Sequence, residues 1–211
     1  MYLARTPALI KPLFKGRMWN VPGPGKDLYL TFDDGPIPEV TPWVLDILAS
    51  RGAKATFFVI GRNATDHPSL LDRIRKEGHG LGNHTWDHRN GWKTPAFAYL
   101  RSVMRCQAIT GTPLFRPPYG RLTRRQARAL RARFDLVMWE VLSADFDRNI
   151  TGERCLQNVV SNTRAGSIIV FHDSLKAEPR LRFALPKVLE HFSAQGYEFK
   201  VLALSAERSL H

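Results

Sequence analysis

Apolar residues fall into short runs separated by polar, glycine or proline positions. Runs of strand character lie at 28–32 (LYLTF), 54–60 (KATFFVI), 79–83 (HGLGN), 113–116 (PLFR), 135–141 (DLVMWEV), 167–172 (SIIVFH) and 197–204 (YEFKVLAL). Between them, apolar residues recur at helical spacing over 40–49, 68–78, 95–110, 123–133, 152–164 and 183–195. The segment 68–78 starts at Pro68 and stops at Gly78, which are helix boundary signals. Runs such as SIIVF do not alternate, so those strands are expected to be covered on both faces, as in a mostly parallel sheet flanked by helices. An open doubly wound sheet and a barrel both fit this pattern. In either, function gathers where the strands end. Reactive side chains stand at those exits: Asp33 and Asp34, Asn83 and His84, Arg116, Asp145, then His172 and Asp173.

Composition narrows the class. The chain has 211 residues, 44% hydrophobic and 24% charged, which fits one folded domain and excludes a disordered chain. Residues 27–211 are expected to form that domain, with 1–26 as a lead-in segment. Pro7, Lys11, Pro12 and Lys15 interrupt the apolar residues of the lead-in, so no secretory signal is expected and the cytoplasm is the expected location. No run reaches the ~20 apolar residues of a membrane span. Leu9, Ile10, Leu13, Phe14 and Trp19 alternate with Lys11, Lys15 and Arg17; packing on the domain is expected, and peripheral contact with an anionic membrane or glycolipid is the alternative. Cys106 and Cys155 have no metal-type spacing and are expected as free thiols. The net charge is +12, and nine arginines lie between Arg101 and Arg133 with no acid among them. A solvated helix face accounts for that stretch, with attraction of an anionic glycan as the second explanation; nucleic acid is not expected as a partner.

Two adjacent carboxylates at a buried strand end repel each other and call for a nearby positive charge. The stretch NHTWDH places His84 and His88 four residues apart, a spacing that brings both imidazoles to one face of a helical turn. Two histidines and one carboxylate, with positions left open, suit Zn²⁺ or Fe²⁺ in a reactive role. One carboxylate would then be a ligand and the other a base.

These residues resemble the NodB-type polysaccharide deacetylases, carbohydrate esterase family 4. Five motifs occur in the family's order: TFDDG (31–35), HTWDH (84–88), RPPYG (116–120), WEVLSADF (139–146) and VFHD (170–173). The resemblance implies an α/β fold, a single-domain deformed (β/α) barrel with about seven mostly parallel strands and outer helices. It implies hydrolysis of N-linked acetyl groups on an N-acetylated glycan. Asp34, His84 and His88 would hold one divalent ion, Zn²⁺ by default, with Co²⁺, Ni²⁺ or Fe²⁺ fitting the same ligands. Asp33 would be the general base, His172 the general acid, and the backbone N–H of Tyr119 an oxyanion donor. Arg116 would fix Asp33, and Asp145 would orient His172 and keep it cationic.

The chain departs from the family pattern at three places. Phe146 stands where Trp is usual, Leu142 where Asp is common, and Val170 where Leu is common, the last giving a smaller wall for the acetyl methyl with Phe171 beside it. Trp86, Trp92, Tyr119 and Phe146 are candidates for stacking on sugars. His67, His79, His191 and His211 match no motif and are expected to be structural or solvent-facing. Asp173 is expected to support the site or cap the next element. The rival functions are a catalytically silent glycan-binding module and a metallo-amidase acting on a small cyclic amide.

Overall fold

The computed structural model describes residues 3–203. Leu204, the end of the last expected strand, and His211 lie outside the described residues. The described residues form nine strands: β1 (Arg17–Met18), β2 (Asp27–Asp33), β3 (Ala55–Val59), β4 (Gly80–Asn83), β5 (Leu114–Phe115), β6 (Asp135–Val137), β7 (Val141–Leu142), β8 (Ile168–His172) and β9 (Glu198–Phe199). The helices are α1 (Thr41–Ser50), α2 (Gly61–Asp66), α3 (Pro68–Lys76), α4 (Ala96–Thr110), α5 (Arg124–Arg131), α6 (Gly152–Val160) and α7 (Glu178–Ala194). The strand order is β1-β6-β5-β4-β3-β2-β8-β7, with β9 beside β2, and every strand pair is parallel. This is the expected deformed (β/α) barrel, with nine strands among the described residues where about seven were expected.

Strand alternation sorts the residues of β2 and β8 to two sides. Leu28, Leu30 and Phe32 pack outward with Ile169 and Phe171 in the large core beneath the helices. Phe32 stacks on Phe57 at 5.1 Å and on Phe171 at 6.1 Å. Tyr29, Phe58, Leu114, Val137 and Ile168 fill the barrel interior. Thr31 and Asp33 share the face of Tyr29, so the interior is apolar at its base and polar at its C-terminal mouth. Phe171 therefore faces the helices, not the site. Its expected place beside an acetyl group is wrong, because one residue's offset in a strand reverses the side chain.

The run 135–141 is not one strand. It breaks at Met138–Glu140, which cross the barrel seam from β6 to β7. The lead-in segment closes that seam. Arg5 bridges Val141 and Asn20 bridges Ser167, both antiparallel. Met138 N–H donates to Met18 O at 2.7 Å and Thr6 N–H to Glu140 O at 2.9 Å. The Glu140 side chain is buried and accepts from Lys11 Nζ (3.0 Å), Arg164 Nη2 (2.6 Å) and Ser167 Oγ (3.0 Å). Burial disfavours its charge, but Lys11 and Arg164 outweigh that and hold its carboxyl below the usual range. Two helices also differ from expectation. α2 has no apolar period to reveal it, and α7 starts five residues before position 183 because Pro179 sits in its first turn.

Candidate active site

Parallel register brings the strand ends to one level. Asp33 pairs with His172 across β2 and β8, and Val59 with Asn83 across β3 and β4. His84 N–H then donates to Val59 O, and Arg116 N–H to Asn83 O, both at 3.0 Å. The motifs, separated by up to 139 residues between Asp33 and His172, meet at this mouth.

Asp33 and Asp34 part immediately. Asp33 ends β2 and is 3% exposed. Arg116, fully buried, donates from Nη1 to Asp33 Oδ1 at 2.6 Å and to Thr31 Oγ1 at 2.7 Å, and from Nη2 to Met138 O at 3.0 Å. Its guanidinium lies 4.1 Å from the Phe58 ring centre. Asp34 adopts φ 84, a left-handed conformation that Asp tolerates better than most residues. Asn63 Nδ2 holds its carbonyl at 2.8 Å. Asp173 pins the same turn: Oδ1 accepts from Gly35 N–H at 3.0 Å and Oδ2 from Thr41 Oγ1 at 2.6 Å. A Cβ on Gly35 would stand 1.9 Å from Asp173 Oδ2, so only glycine fits. Burial pushes the Asp173 carboxyl up to about 8, against the two hydrogen bonds it accepts.

Asp34, His84 and His88 each offer a ligand atom, all within 4.8 Å of one another. Asp34 Oδ1 lies 3.2 Å from His88 Nε2 and 3.8 Å from His84 Nε2. It is a buried oxygen without a hydrogen-bond donor of suitable geometry. His84 Nδ1 is 2.8 Å from Arg116 O, a carbonyl that can only accept, so the proton sits on Nδ1 and the Nε2 lone pair faces Asp34. Burial pushes His84 down to about 4, leaving it neutral at neutral pH. For Asp34, burial opposes charge, but His88, His172 and His84 together prevail and hold the carboxyl well below the carboxylate range. An orphaned carboxylate oxygen and two imidazole nitrogens on one point fit a divalent cation.

The histidines do not share a helical turn, contrary to the sequence expectation. Residues 84–88 form a loop in which Thr85 (φ 65) and His88 (φ 54) are left-handed. Asn83 holds that loop: Oδ1 accepts Thr85 N–H at 2.9 Å and Nδ2 donates to Val103 O at 2.9 Å. Asn83 stands among the strand-exit groups named from the sequence, though not with this holding role, and Thr31, Thr41 and Asn63 were not singled out. Thr31 was legible, since it lies two residues before Asp33 and so on the same strand face. Thr41 and Asn63 act on Asp173 and Asp34 across 132 and 29 residues of sequence.

His172 Nδ1 lies 2.7 Å from Asp145 Oδ1, and its N–H donates to Asp145 Oδ2 at 2.7 Å. Burial disfavours the imidazolium, but Asp145, then Asp34 and Asp33, more than offset it and raise His172 to about 9. Phe146 packs edge-on against His172 at 5.2 Å and Tyr119 against His88 at 4.7 Å. Tyr119 sits at φ 59 in the turn Pro118–Gly120. Trp92 and Tyr119 are exposed at the rim, with the Arg121 guanidinium 4.9 Å and 5.9 Å from their ring centres. Trp86 is instead covered by Arg105 at 3.6 Å. His79 is buried, accepting Ala55 N–H at 3.2 Å, while His191 contacts Gln195 on the surface. Cys106 and Cys155 are buried free thiols.

A profile of the polysaccharide deacetylase family matches residues 20–137. The chain is 34% identical over 184 residues to a peptidoglycan-N-acetylglucosamine deacetylase of Bacillus cereus, covering 83% of this chain and 66% of that one. It is 36% identical over 154 residues to a chitooligosaccharide deacetylase of Azorhizobium caulinodans, covering 69% and 73%. The crystal structure of the Bc1960 peptidoglycan N-acetylglucosamine deacetylase superposes with a TM-score of 0.85 at 30% identity, covering 93% of this chain and 95% of that one.

Proposed function

The chain belongs to the polysaccharide deacetylase family, and we propose that it hydrolyses N-linked acetyl groups on amino sugars of a glycan with the help of one divalent cation. The observation that carries this is the convergence of three pairings at one mouth: Asp34 with the two histidines, Asp33 with Arg116, and His172 with Asp145.

When bound by Asp34, His84 and His88, the cation, Zn²⁺ by default, supplies acidity to a water and polarisation to the acetamide carbonyl. Asp33 Oδ1 is committed to Arg116, which leaves Oδ2 to take the proton of the attacking water. His172 holds its Nδ1 proton against Asp145 and carries a second on Nε2, which passes to the departing amine. The Tyr119 N–H is assigned to the developing oxyanion, a placement typically worth ~3 kcal/mol of barrier. The products are the free amino sugar and acetate. A silent glycan-binding module would not need both a base and an acid with partners, and the pairings of Asp33 with Arg116 and His172 with Asp145 support hydrolysis over it. A small cyclic amide is the remaining rival substrate.

Acetate release is the test. N-acetylated chito-oligomers and peptidoglycan fragments should yield acetate, a panel of small cyclic amides should be inert, and chelation should stop the reaction until metal is restored. Binding of the oligomers without acetate release from metal-loaded protein would leave only a binding module. Turnover of the cyclic amides alone would reassign the substrate.

A further inference from the structure

The segment Ala8–Phe14 is a short 3₁₀ helix with none of its residues buried. Its polarity is inverted relative to an ordinary surface helix, which turns apolar residues inward. Here Lys11 turns inward, its side chain 17% exposed, and bonds Glu140 and Asn20. Leu9 and Leu13 point outward, 88% and 77% exposed, with Phe14 and Leu3 also exposed. The Lys11–Glu140 contact fixes this orientation, because Glu140 is buried in the seam beneath.

Cations stand at the end of this apolar prow. The Arg17 guanidinium lies 4.5 Å from the Phe14 ring centre. Arg131 Nη1 donates to Lys15 O at 3.1 Å, which brings α5 against the segment. α5 presents Arg124, Arg125, Arg128 and Arg131 to solvent, and the sequence from 101 to 133 holds no acid. Burial first, and then the neighbouring Arg131, lower the pKa of Arg17, a sign that like charges are crowded here.

Exposed leucines rimmed by arginine and lysine match a bilayer surface of negative charge: the apolar side chains enter the acyl boundary and the cations meet the headgroup phosphates. We propose that the prow of Leu9, Leu13 and Phe14, with the Lys15, Arg17 and α5 cations, docks this protein on an anionic lipid bilayer. The site goes beyond the deacetylase function and uses none of the residues assigned to it.

Vesicle sedimentation of the full chain tests it. Vesicles of phosphatidylcholine and phosphatidylglycerol in equal parts should carry the protein down, and vesicles of phosphatidylcholine alone should not. The double variant Leu9→Ser/Leu13→Ser alters only exposed side chains; it should weaken binding about tenfold or more, with circular dichroism and acetate release from soluble oligomers unchanged. Arg17→Gln should weaken binding further and reduce its salt sensitivity. No binding to the mixed vesicles, or binding indifferent to the leucine pair, would overturn the proposal. So would a leucine-dependent dimer in sedimentation velocity that forms instead of vesicle binding, which would make a second copy the occupant. Equal leucine-independent affinity for duplex DNA would leave only non-specific charge.

Discussion

Asp33 and Asp34 are chemically alike and adjacent, and their surroundings separate them. Asp33 is tied to a buried guanidinium, whereas Asp34 faces two imidazoles with an oxygen that receives no donor. Asp33→Asn should therefore retain the metal and lose turnover by at least about 100-fold, the scale of a general base. His84→Ala should lose both. Metal analysis of the purified variants beside acetate-release rates checks this pair, and near-normal rates in Asp33→Asn would remove its assignment as base. His172 gives a second prediction. Its folded pKa is raised, so its contribution to stability is complete below ~6.5 and is lost as pH rises through about 9. In the metal-free protein its ring resonances should titrate near that value, and Asp145→Asn should move the titration downward. Five chemistry-bearing strand exits were legible in the sequence, because each is a polar group at the end of an apolar run. Thr41 and Asn63, which hold the turn at Asp34, were not, since their contacts to Asp173 and Asp34 span 132 and 29 residues.

The loop between β4 and α4 carries both histidines, and its shape is not the one their spacing suggested. A separation of four residues is compatible with a helical turn and equally with a loop holding two left-handed residues. Only tertiary contacts choose between them. Asn83 makes that choice through Thr85 N–H and Val103 O. Asn83→Ala should weaken metal affinity by about 10–100-fold, the usual cost of removing support behind a ligand, with competition against a chromogenic chelator as the measurement. The long apolar strands β2, β3 and β8 were plain in the sequence for the same reason they are central: both faces are buried. β1 and β7 span two residues each, too short to leave a period. Phe171 was misplaced because an apolar run does not say which of its alternate residues faces the interior.

At the scale of the molecule, the barrel is completed by a segment that looked like a lead-in. β6 and β7 are neighbours in sequence but flank a seam, and residues 4–20 stitch it with two antiparallel bridges and the Glu140 cluster. Glu140→Gln should cost about 2 kcal/mol through its charged hydrogen bonds, a fall of about 4–8 °C in Tm for a domain of this size. Calorimetry measures it, and an unchanged Tm would mean the cluster is dispensable. The left-handed turn at Asp34 has a further consequence for the working molecule. Consecutive strand residues normally point to opposite sides, and that one rotation brings the second carboxylate back toward the first. A proton acceptor at Asp33 and a cation held through Asp34 would thereby be geared together by a single peptide unit. Breathing of the wall, or a shift of the whole barrel against a membrane, would change how a glycan enters without altering the interval between the carboxylate that would take the water's proton and the one that would hold the cation.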